Sequence, residues 1–497
     1  MRPIGMPVRS FPRRARLLVT AGAFAAALGA APAAPAQSAD TLIKRATMAM
    51  GGDGLKTLRY TAEGTGHTFG QAFRPGLPWP KITIHGQTRS IDYAGGALRD
   101  EIVLSRAEPR GGGGYPITGQ QRNDQFFAGN YAWNVVGGNP APNPRFTIER
   151  AHQLWTTPHG VLLAAARNQA TVSHRKVGER SLPSLTFTEP LRFRATIHLD
   201  AQNRVARIDS RLPDPVLGEV SVVTRFSDYR SHGALQFPGR IRQSQGGHPT
   251  LDVTVKEVAV NPPVAIAVPD AVRNATERVA VDAVAEGVWF IAGGSHNSVA
   301  IEMSDHLILV ESPLFDGRAQ PVLERANALV AGKPVRYVIN SHGHFDHAGG
   351  IRAAIASGAT IVTHRANRPM FEMAAASPVR IAPDALARSG RKPRLVAVDD
   401  RHVMKDARRT VELHRIAGGN HAEAFLMVWL PAERLLIEAD AFTPGAPGSA
   451  PPATPNPNHV NLVENIERLK LDVDRILPLH GRVVPVTELY TAVGRKK

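Results

Sequence analysis

The 497-residue chain contains no cysteine. This absence excludes disulfide bonds, metal sites built on thiolates and a lipid-modified cysteine behind an export signal. A cysteine-free chain must be held together by its hydrophobic cores, aided by any metal that it binds. Any metal must therefore be bound by histidine, aspartate or glutamate.

Acidic residues are scarce in the front part of the chain, and the formal net charge is +16. Residues 1–36 carry five arginines and no acid, residues 37–275 carry 28 basic and 19 acidic residues, and residues 276–497 carry 26 and 24. The basic residues are scattered and no basic-aromatic motif accompanies them, so nucleic acid is not expected as a partner. Attraction to an anionic envelope surface and plain solvation both fit this pattern. The sequence is silent on the oligomeric state.

The first residues have the pattern of an export signal. Several arginines precede a short, alanine-rich apolar stretch over residues 17–31, and Ala34-Pro35-Ala36 has the small-x-small pattern of a signal-peptidase site. We interpret residues 1–36 as a signal peptide and expect a periplasmic or secreted protein, since the apolar stretch is short for a membrane anchor. The pair Arg13-Arg14 leaves open whether the route is the general or the twin-arginine pathway.

Residues 37–275 are predicted to form a mostly antiparallel β domain. A helix is expected over residues 39–50, followed by short alternating runs between turn residues, as in Val222, Thr224 and Phe226, which would share one face of a strand. Two such runs flank a polar turn at residues 201–204 and predict a hairpin. The segment 226–241 faintly resembles the curved sheets of envelope lipoprotein-carrier domains.

Residues 276–497 are predicted to form a second domain. A proline-rich stretch over residues 261–269 suits a linker, and from about residue 279 short apolar strands alternate with helices, including helices over 319–329 and 348–357. This alternation indicates an α/β layered arrangement. The chain as a whole is therefore expected to be of the α+β class.

The densest chemical signal is the run Ser341-His342-Gly343-His344-Phe345-Asp346-His347, which follows an apolar strand. Imidazole and carboxylate groups at this density predict a metal site. Three further candidate ligands each follow a predicted strand, which is where open α/β sheets place their sites: His421, Asp440 and His480.

These residues resemble the signature of the metallo-β-lactamase-fold hydrolases, which is His-x-His-x-Asp-His followed by a single His, a single Asp and a final His. The resemblance implies an αββα sandwich over roughly residues 280–497. It also implies one metal bound by His342, His344 and His421, a second bound by Asp346, His347 and His480, and Asp440 as the bridge between them.

The resemblance implies two divalent metal ions, zinc first, with iron or manganese as alternatives. A water that bridges two cations loses its proton near neutral pH and becomes an attacking hydroxide. Asp346 is the candidate catalytic residue, able to orient that hydroxide or pass a proton to the leaving atom. At the start of a helix, Asp346 is also expected to cap backbone N–H groups.

The leading hypothesis is an exported binuclear hydrolase acting on an ester, lactone or similar acyl bond of a small molecule. True β-lactamase activity is disfavoured, because family members that open β-lactams typically have Cys or Ser at the position of Asp440. A mono-iron dioxygenase of the same fold and a non-catalytic envelope binding or carrier protein are the alternatives. His296 is predicted to line the pocket or stabilise a turn, and Arg482 to meet an anionic group or remain a solvated surface arginine.

Overall fold

A computed structural model describes residues 38–107, 113–114, 117, 119–177 and 180–497. The predicted signal peptide over residues 1–36 lies outside the described residues. Among the helices described, none is long and apolar enough to span a lipid bilayer.

The front part of the chain forms one 13-stranded antiparallel sheet with the spatial order β6-β5-β4-β3-β2-β1-β13-β12-β11-β10-β9-β8-β7. Its strands are β1 (Thr57–His67), β2 (Lys81–Asp92), β3 (Ala97–Arg106), β4 (Gln121–Ala128), β5 (Tyr131–Val136), β6 (Asn139–Pro142), β7 (Thr171–Val177), β8 (Arg180–Glu189), β9 (Phe193–Leu199), β10 (Val205–Asp214), β11 (Gly218–His232), β12 (Leu235–Gln245) and β13 (His248–Val260). The predicted hairpin joins β9 to β10, and Val222, Thr224 and Phe226 are buried on one face of β11. The predicted antiparallel β architecture is thus confirmed.

Three helices cover one face of this sheet, which we call the inner face: α1 (Ala39–Ala49), α2 (Thr147–Trp155) and α3 (Gly160–Arg167). Leu42 of α1, Leu154 of α2 and Val161 of α3 are fully buried in the core that the inner face forms with these helices. Ser38 caps the N-terminus of helix α1, because its side chain accepts a hydrogen bond from the backbone N–H of Thr41. The sequence pattern predicts α1 but neither α2 nor α3.

The second part of the chain contains two mixed sheets. The 7-stranded sheet follows chain order as β14 (Ala280–Ala285), β15 (Val288–Ala292), β16 (Ser298–Glu302), β17 (Leu307–Val310), β18 (Val335–Ile339), β19 (Thr360–His364) and β20 (Leu395–Val398), and is parallel from β17 onwards. The strands of the 6-stranded sheet also follow chain order, and only β24 and β25 are parallel to each other. These strands are β21 (Arg401–Lys405), β22 (Thr410–Arg415), β23 (Leu426–Leu430), β24 (Leu435–Glu438), β25 (Arg475–Pro478) and β26 (Val484–Pro485).

The two sheets face each other across one apolar core, and helices cover both outer faces. These helices are α5 (Asp316–Asn327), α6 (Phe345–Ala348), α7 (Ile351–Ser357), α8 (Arg368–Ala376), α9 (Ala385–Ser389), α10 (Pro457–Leu469) and α11 (Val486–Ala492). The preceding helix α4 (Asp270–Arg273) instead packs against β5 and β6 of the 13-stranded sheet. Buried side chains of α5, α7 and α8 pack on the first sheet, while those of α10 and α11 pack on the second. The predicted α+β class, with an αββα sandwich at the C-terminal side, is confirmed.

The helix predicted over residues 348–357 is two helices, α6 and α7, separated by Gly349-Gly350. A Cβ atom at Gly349 would lie 1.8 Å from the carbonyl oxygen of Leu314, and one at Gly350 would lie 2.3 Å from that of Ser312. The chain passes too close to its neighbour here for any side chain, and it turns between the two short helices.

The loop between β1 and β2, residues 68–80, joins the two parts of the molecule. The backbone N–H of Phe345 donates to the carbonyl oxygen of Gly70 at 3.1 Å, and the rings of Phe69 and Trp79 pack edge-on against the ring of Phe345. Gly70 has φ +80, and a Cβ there would lie 2.7 Å from the Phe345 ring. We call this segment the β1–β2 loop, and it lies directly beside the His-rich motif.

Candidate metal centre

The ends of five elements deliver the sequence-predicted ligands to one place. His342 and His344 follow β18, and Asp346 and His347 lie on α6. The remaining three follow β22, β24 and β25 respectively: His421, Asp440 and His480. The structure brings all seven together, in two groups whose candidate ligand atoms lie within 4.8 Å of one another.

The first group consists of His342, His344, His421 and Asp440, all of them buried. The Nε2 atoms of His342 and His421 face each other at 3.0 Å. Nε2 of His344 donates to the backbone carbonyl of Ala72 at 3.2 Å, and its buried Nδ1 has no hydrogen-bond partner among the described residues. That nitrogen is therefore the atom of His344 that can bind a metal.

The second group consists of His296, Asp346, His347 and His480. The Nε2 atoms of His347 and His480 lie 3.1 Å apart, and Nε2 of His296 lies 3.2 Å from Oδ2 of Asp346. The sequence left His296 open between a pocket residue and a turn residue, and the structure places it in contact with the candidate catalytic carboxylate.

Asp440 touches both groups. Its Oδ2 lies 3.2 Å from Nε2 of His342, 3.1 Å from Nε2 of His421 and 2.8 Å from Nε2 of His347. Its Oδ1 lies 3.0 Å from Nε2 of His480. One carboxylate therefore lies between two sets of imidazoles, which is the position that a bridging ligand requires.

The donor set fits divalent cations on its own geometry. Two imidazole nitrogens bound tetrahedrally to one zinc ion, at about 2.0–2.1 Å each, lie roughly 3.3–3.4 Å apart. The observed separations of 3.0 Å and 3.1 Å between facing Nε2 atoms are close to this value. Several buried lone pairs converging on one carboxylate would be costly without a cation to receive them.

The charges around the site favour neutral imidazoles and ionised carboxylates. Burial, assisted by the nearby His347, lowers the pKa of His342 to about 3, and burial lowers the pKa of His296 to about 4. Burial alone would raise the pKa of Asp440, but the surrounding histidines, His347 first, hold it well below its usual range. The pKa of His347 is instead raised well above its ordinary value, because Asp440 and Asp346 outweigh the effect of burial.

Two buried glutamates support this ligand set, and no sequence motif predicts either of them. Oε1 of Glu311 accepts a hydrogen bond of 2.7 Å from the backbone N–H of Ser341, while its Oε2 lies 3.7 Å from Nδ1 of His347. Oε2 of Glu438 accepts from the backbone N–H groups of Ala441 and Phe442 at 2.9 Å each, which fixes the turn that carries Asp440. Such carboxylates orient metal ligands and tune their basicity.

The β1–β2 loop supplies a further residue to the site. Nε2 of Gln71 donates a hydrogen bond of 2.8 Å to Oδ1 of Asp346. A glutamine in a loop 275 residues before its partner carries no motif, so only the folded chain could reveal this contact.

The structure corrects one expectation about a single side chain. Among the described residues no side chain caps α6, so Asp346 does not have the predicted capping role, and its carboxylate oxygens face Gln71 and His296. Arg482, for which the sequence left two roles open, donates to the carboxylate of Glu488 through two hydrogen bonds of 3.0 Å and 2.7 Å.

The fold and the site together define a candidate metal-dependent enzyme with an αββα architecture. Residues 291–480 match the family model of the metallo-beta-lactamase superfamily. This region therefore belongs to that superfamily, as the motif indicated. The comparison with curated proteins finds no match.

Several solved structures are similar to this chain at low identity. One is a metallo-beta-lactamase from Pontibacter korlensis, with 15% identity over 44% of this chain and 98% of that chain and a TM-score of 0.33. Another is a metallo beta lactamase from Hirschia baltica, with 20% identity over 44% of this chain and 99% of that chain and a TM-score of 0.33. A third is rubredoxin oxygen:oxidoreductase from Desulfovibrio gigas, with 15% identity over 43% and 61% and a TM-score of 0.34.

Proposed function

We propose that this chain is a hydrolase that binds two divalent metal ions and cleaves an ester, lactone or similar acyl bond of a small molecule. The observation that carries the proposal is the carboxylate of Asp440, which lies within 3.2 Å of imidazole nitrogens from both ligand groups. The superfamily match over residues 291–480 supports the same class of site.

The first group would hold one ion and the second group the other, with Asp440 shared. When bound, such a pair of cations lowers the pKa of water and polarises the acyl oxygen of a substrate. Zinc suits the imidazole and carboxylate ligands, and iron and manganese are compatible with them.

Asp346 is the residue proposed to handle the proton. Its pKa is held well below the usual range, because the charge of His347 and the hydrogen bond from His296 outweigh the effect of burial. It is therefore a carboxylate at neutral pH and can accept a proton at Oδ2 from the attacking water. In ester hydrolysis the acyl carbon gains the oxygen of water and loses the alkoxide oxygen, and Asp346 can return the proton to that leaving oxygen.

A cavity of about 560 Å³ borders this carboxylate, and we call it the metal-side cavity. Its walls include His296 and Asp346 from the C-terminal part, and Phe69 and Gln71 from the β1–β2 loop. A volume in the range of about 300–1,000 Å³ is typical for small-molecule sites. The substrate would thus meet side chains from both parts of the chain.

We also propose that the protein is exported and works in the periplasm or outside the cell. The support is the signal-like composition of residues 1–36. Expression with and without these residues, followed by fractionation and N-terminal sequencing of the product, tests this. An uncleaved N-terminus on protein found only in the cytoplasm would contradict it.

The hydrolase proposal is tested with a panel of esters, lactones and thioesters. Turnover should be present in protein loaded with zinc, manganese or iron, absent after chelation, and restored by adding the metal back. The substitution Asp440→Ala should abolish turnover. Oxygen consumption dependent on a single iron, without hydrolysis of any acyl compound, would instead support the dioxygenase of the same fold.

A further inference from the structure

A second cavity, of about 390 Å³, lies between the inner face of the 13-stranded sheet and helix α2. We call it the sheet cavity. Its walls come from β1 to β4 and from β11 to β13, and Glu149 and Gln153 of α2 cover it. Nothing in the chemistry proposed above uses this space.

The sheet cavity adjoins the metal-side cavity. Five residues line both of them: Thr68, Phe69, Ile117, Arg145 and Phe146. Since the metal-side cavity reaches His296 and Asp346, the shared walls connect the metal centre with the interior of the sheet domain.

The part of the sheet cavity next to this junction is apolar. Ile82 and Ile84 of β2 and Ile102 and Leu104 of β3 contribute to its wall from alternate positions of neighbouring strands. Phe226 of β11 also faces it. Such a wall favours a hydrocarbon chain over a polar one.

Farther along β2 the wall becomes polar at Gln87, which pairs with Ile102 of β3. Gln87 is only 3% exposed, and its Nε2 donates to the two carboxylate oxygens of Asp100 at 2.8 Å and 3.0 Å. Its Oε1 is buried and has no hydrogen-bond partner in the part of the chain that the structure describes. A buried acceptor without a donor is costly, so this end of the cavity is suited to a ligand that brings an O–H or N–H group.

Arg145 lies at the junction. It is half-buried, its Nε donates to the carbonyl oxygen of Leu314 at 3.3 Å, and its guanidinium lies 4.9 Å from the centre of the Phe146 ring. Its charge counteracts the burial that raises the pKa values of Glu149 and Asp214, but among the described residues no carboxylate lies within ion-pair distance of it. A guanidinium in this state can bind the oxygens of a carboxylate or of an acyl group.

We propose that the two cavities form one binding site for an elongated acyl substrate. The acyl carbonyl lies between Arg145 and the metal centre, the hydrocarbon chain lies against the isoleucines of β2 and β3, and a hydroxyl or amide group farther along the chain donates to Oε1 of Gln87. This inference rests on the proposed hydrolase function, because it names the substrate class of that site. It assigns the 13-stranded sheet a direct part in substrate recognition.

The carboxylate products of such a substrate are suitable probes, because they cannot be hydrolysed further. Isothermal titration calorimetry of the full-length protein as purified would compare acetate, hexanoate and dodecanoate below their micelle concentrations. The affinity should rise at least about tenfold from hexanoate to dodecanoate, since each methylene adds apolar burial. Equal affinity along the series would overturn the proposal.

A variant that fills the sheet cavity tests whether the hydrocarbon chain binds there. Ile102→Trp fills the apolar part of the sheet cavity, whereas Val103→Trp adds the same bulk to the opposite face of the same strand. Ile102→Trp should lose the gain from hexanoate to dodecanoate and Val103→Trp should keep it, with equal metal content in both. If both variants lose the gain in affinity, or if neither does, the hydrocarbon chain does not bind in the sheet cavity. If Ile102→Trp does not fold, as judged by its thermal unfolding, the chain-length series on the unchanged protein still decides.

The polar end is tested with ω-hydroxydodecanoate. Its hydroxyl should leave the affinity at or above that of dodecanoate, because Gln87 offers an acceptor. A loss of about tenfold or more would overturn this contact. Chain-length-dependent binding without turnover of any ester would refute the hydrolase and keep the binding site. Ester turnover that does not depend on chain length would support the hydrolase and refute the elongated binding site.

Discussion

The side-chain amide of Gln71 donates a 2.8 Å hydrogen bond to Oδ1 of Asp346, so a loop of the antiparallel sheet domain holds the carboxylate proposed to move the proton. Nε2 of His296 approaches the other oxygen at 3.2 Å. Both oxygens of Asp346 are therefore held in place from outside the His-rich motif.

Replacing Gln71 by leucine tests its role as a positioning residue. Loss of a hydrogen bond to a charged group costs about 1.5–3 kcal/mol, so kcat should fall roughly 10- to 100-fold. Metal content should stay unchanged, and the variant should still unfold cooperatively. Steady-state kinetics on the best ester of the panel measures the effect, with Gln121→Leu as the control, since Gln121 lines the same cavity. A raised KM with unchanged kcat would show that Gln71 only contacts substrate.

Replacing Asp440 by alanine tests the shared carboxylate. The unchanged protein should contain about two divalent ions per chain, and the variant should contain about one or fewer, because both ligand groups lose an oxygen. Plasma mass spectrometry on purified protein measures this. Asp270→Ala is the control, because that carboxylate is 92% exposed and far in sequence from the motif. Two ions retained in Asp440→Ala would refute the bridging role.

Replacing Glu311 by glutamine tests the support of His347. The glutamine oxygen can keep the hydrogen bond to the backbone N–H of Ser341, while the charge that faces Nδ1 of His347 is lost. Loss of such a carboxylate typically lowers metal affinity about 10- to 100-fold. Competition with a chromogenic chelator should show this loss for one of the two ions. Equal weakening of both ions would indicate a general distortion instead.

The buried His152 makes stability depend on pH. Burial lowers its pKa to about 4, whereas the unfolded chain takes up this proton near pH 6.5. Between these values the unfolded state binds more protons, so the free energy of unfolding should fall as the pH drops from about 6.5 to about 4. The contribution of this one residue amounts to about 3 kcal/mol.

Urea unfolding of His152→Gln at several pH values isolates this contribution. The variant should lose less stability than the unchanged protein over that range, by about 3 kcal/mol. Leu154→Ala, a buried change on the same helix that does not titrate, should lower stability equally at every pH. An identical pH dependence in His152→Gln and the unchanged protein would show that this imidazole is not the group responsible.

The sequence predicted the parts of the site that are encoded locally. His342, His344, Asp346 and His347 share one short motif, and the strand before it places them at a sheet edge. Gln71 and Glu311 were not predictable, because each acts through a partner that only tertiary packing brings near. Helix α2 was missed for a related reason: the segment 147–155 is short, and it is stabilised by packing on β3, β4, β5 and β10, which the pattern of the segment itself does not specify.

The general type of the front domain was predictable from its alternating pattern, as in β11, where every second residue from Val220 to Phe226 is buried. The spatial order of the strands in this domain was not predictable from the sequence. Strand β1 pairs with β13 as well as with β2, and nothing in either segment alone specifies that long-range pairing.

This pairing has a consequence for how the protein acquires its site. Because β1 pairs with β13 as well as with β2, the strand that leads into the β1–β2 loop has neighbours on both sides only after the chain has been made as far as residue 260. The ligand set is completed by His480, near the other end of the chain. Contacts that close loops of this length form slowly, so metal uptake should be among the last steps of folding, after both parts of the chain have come together.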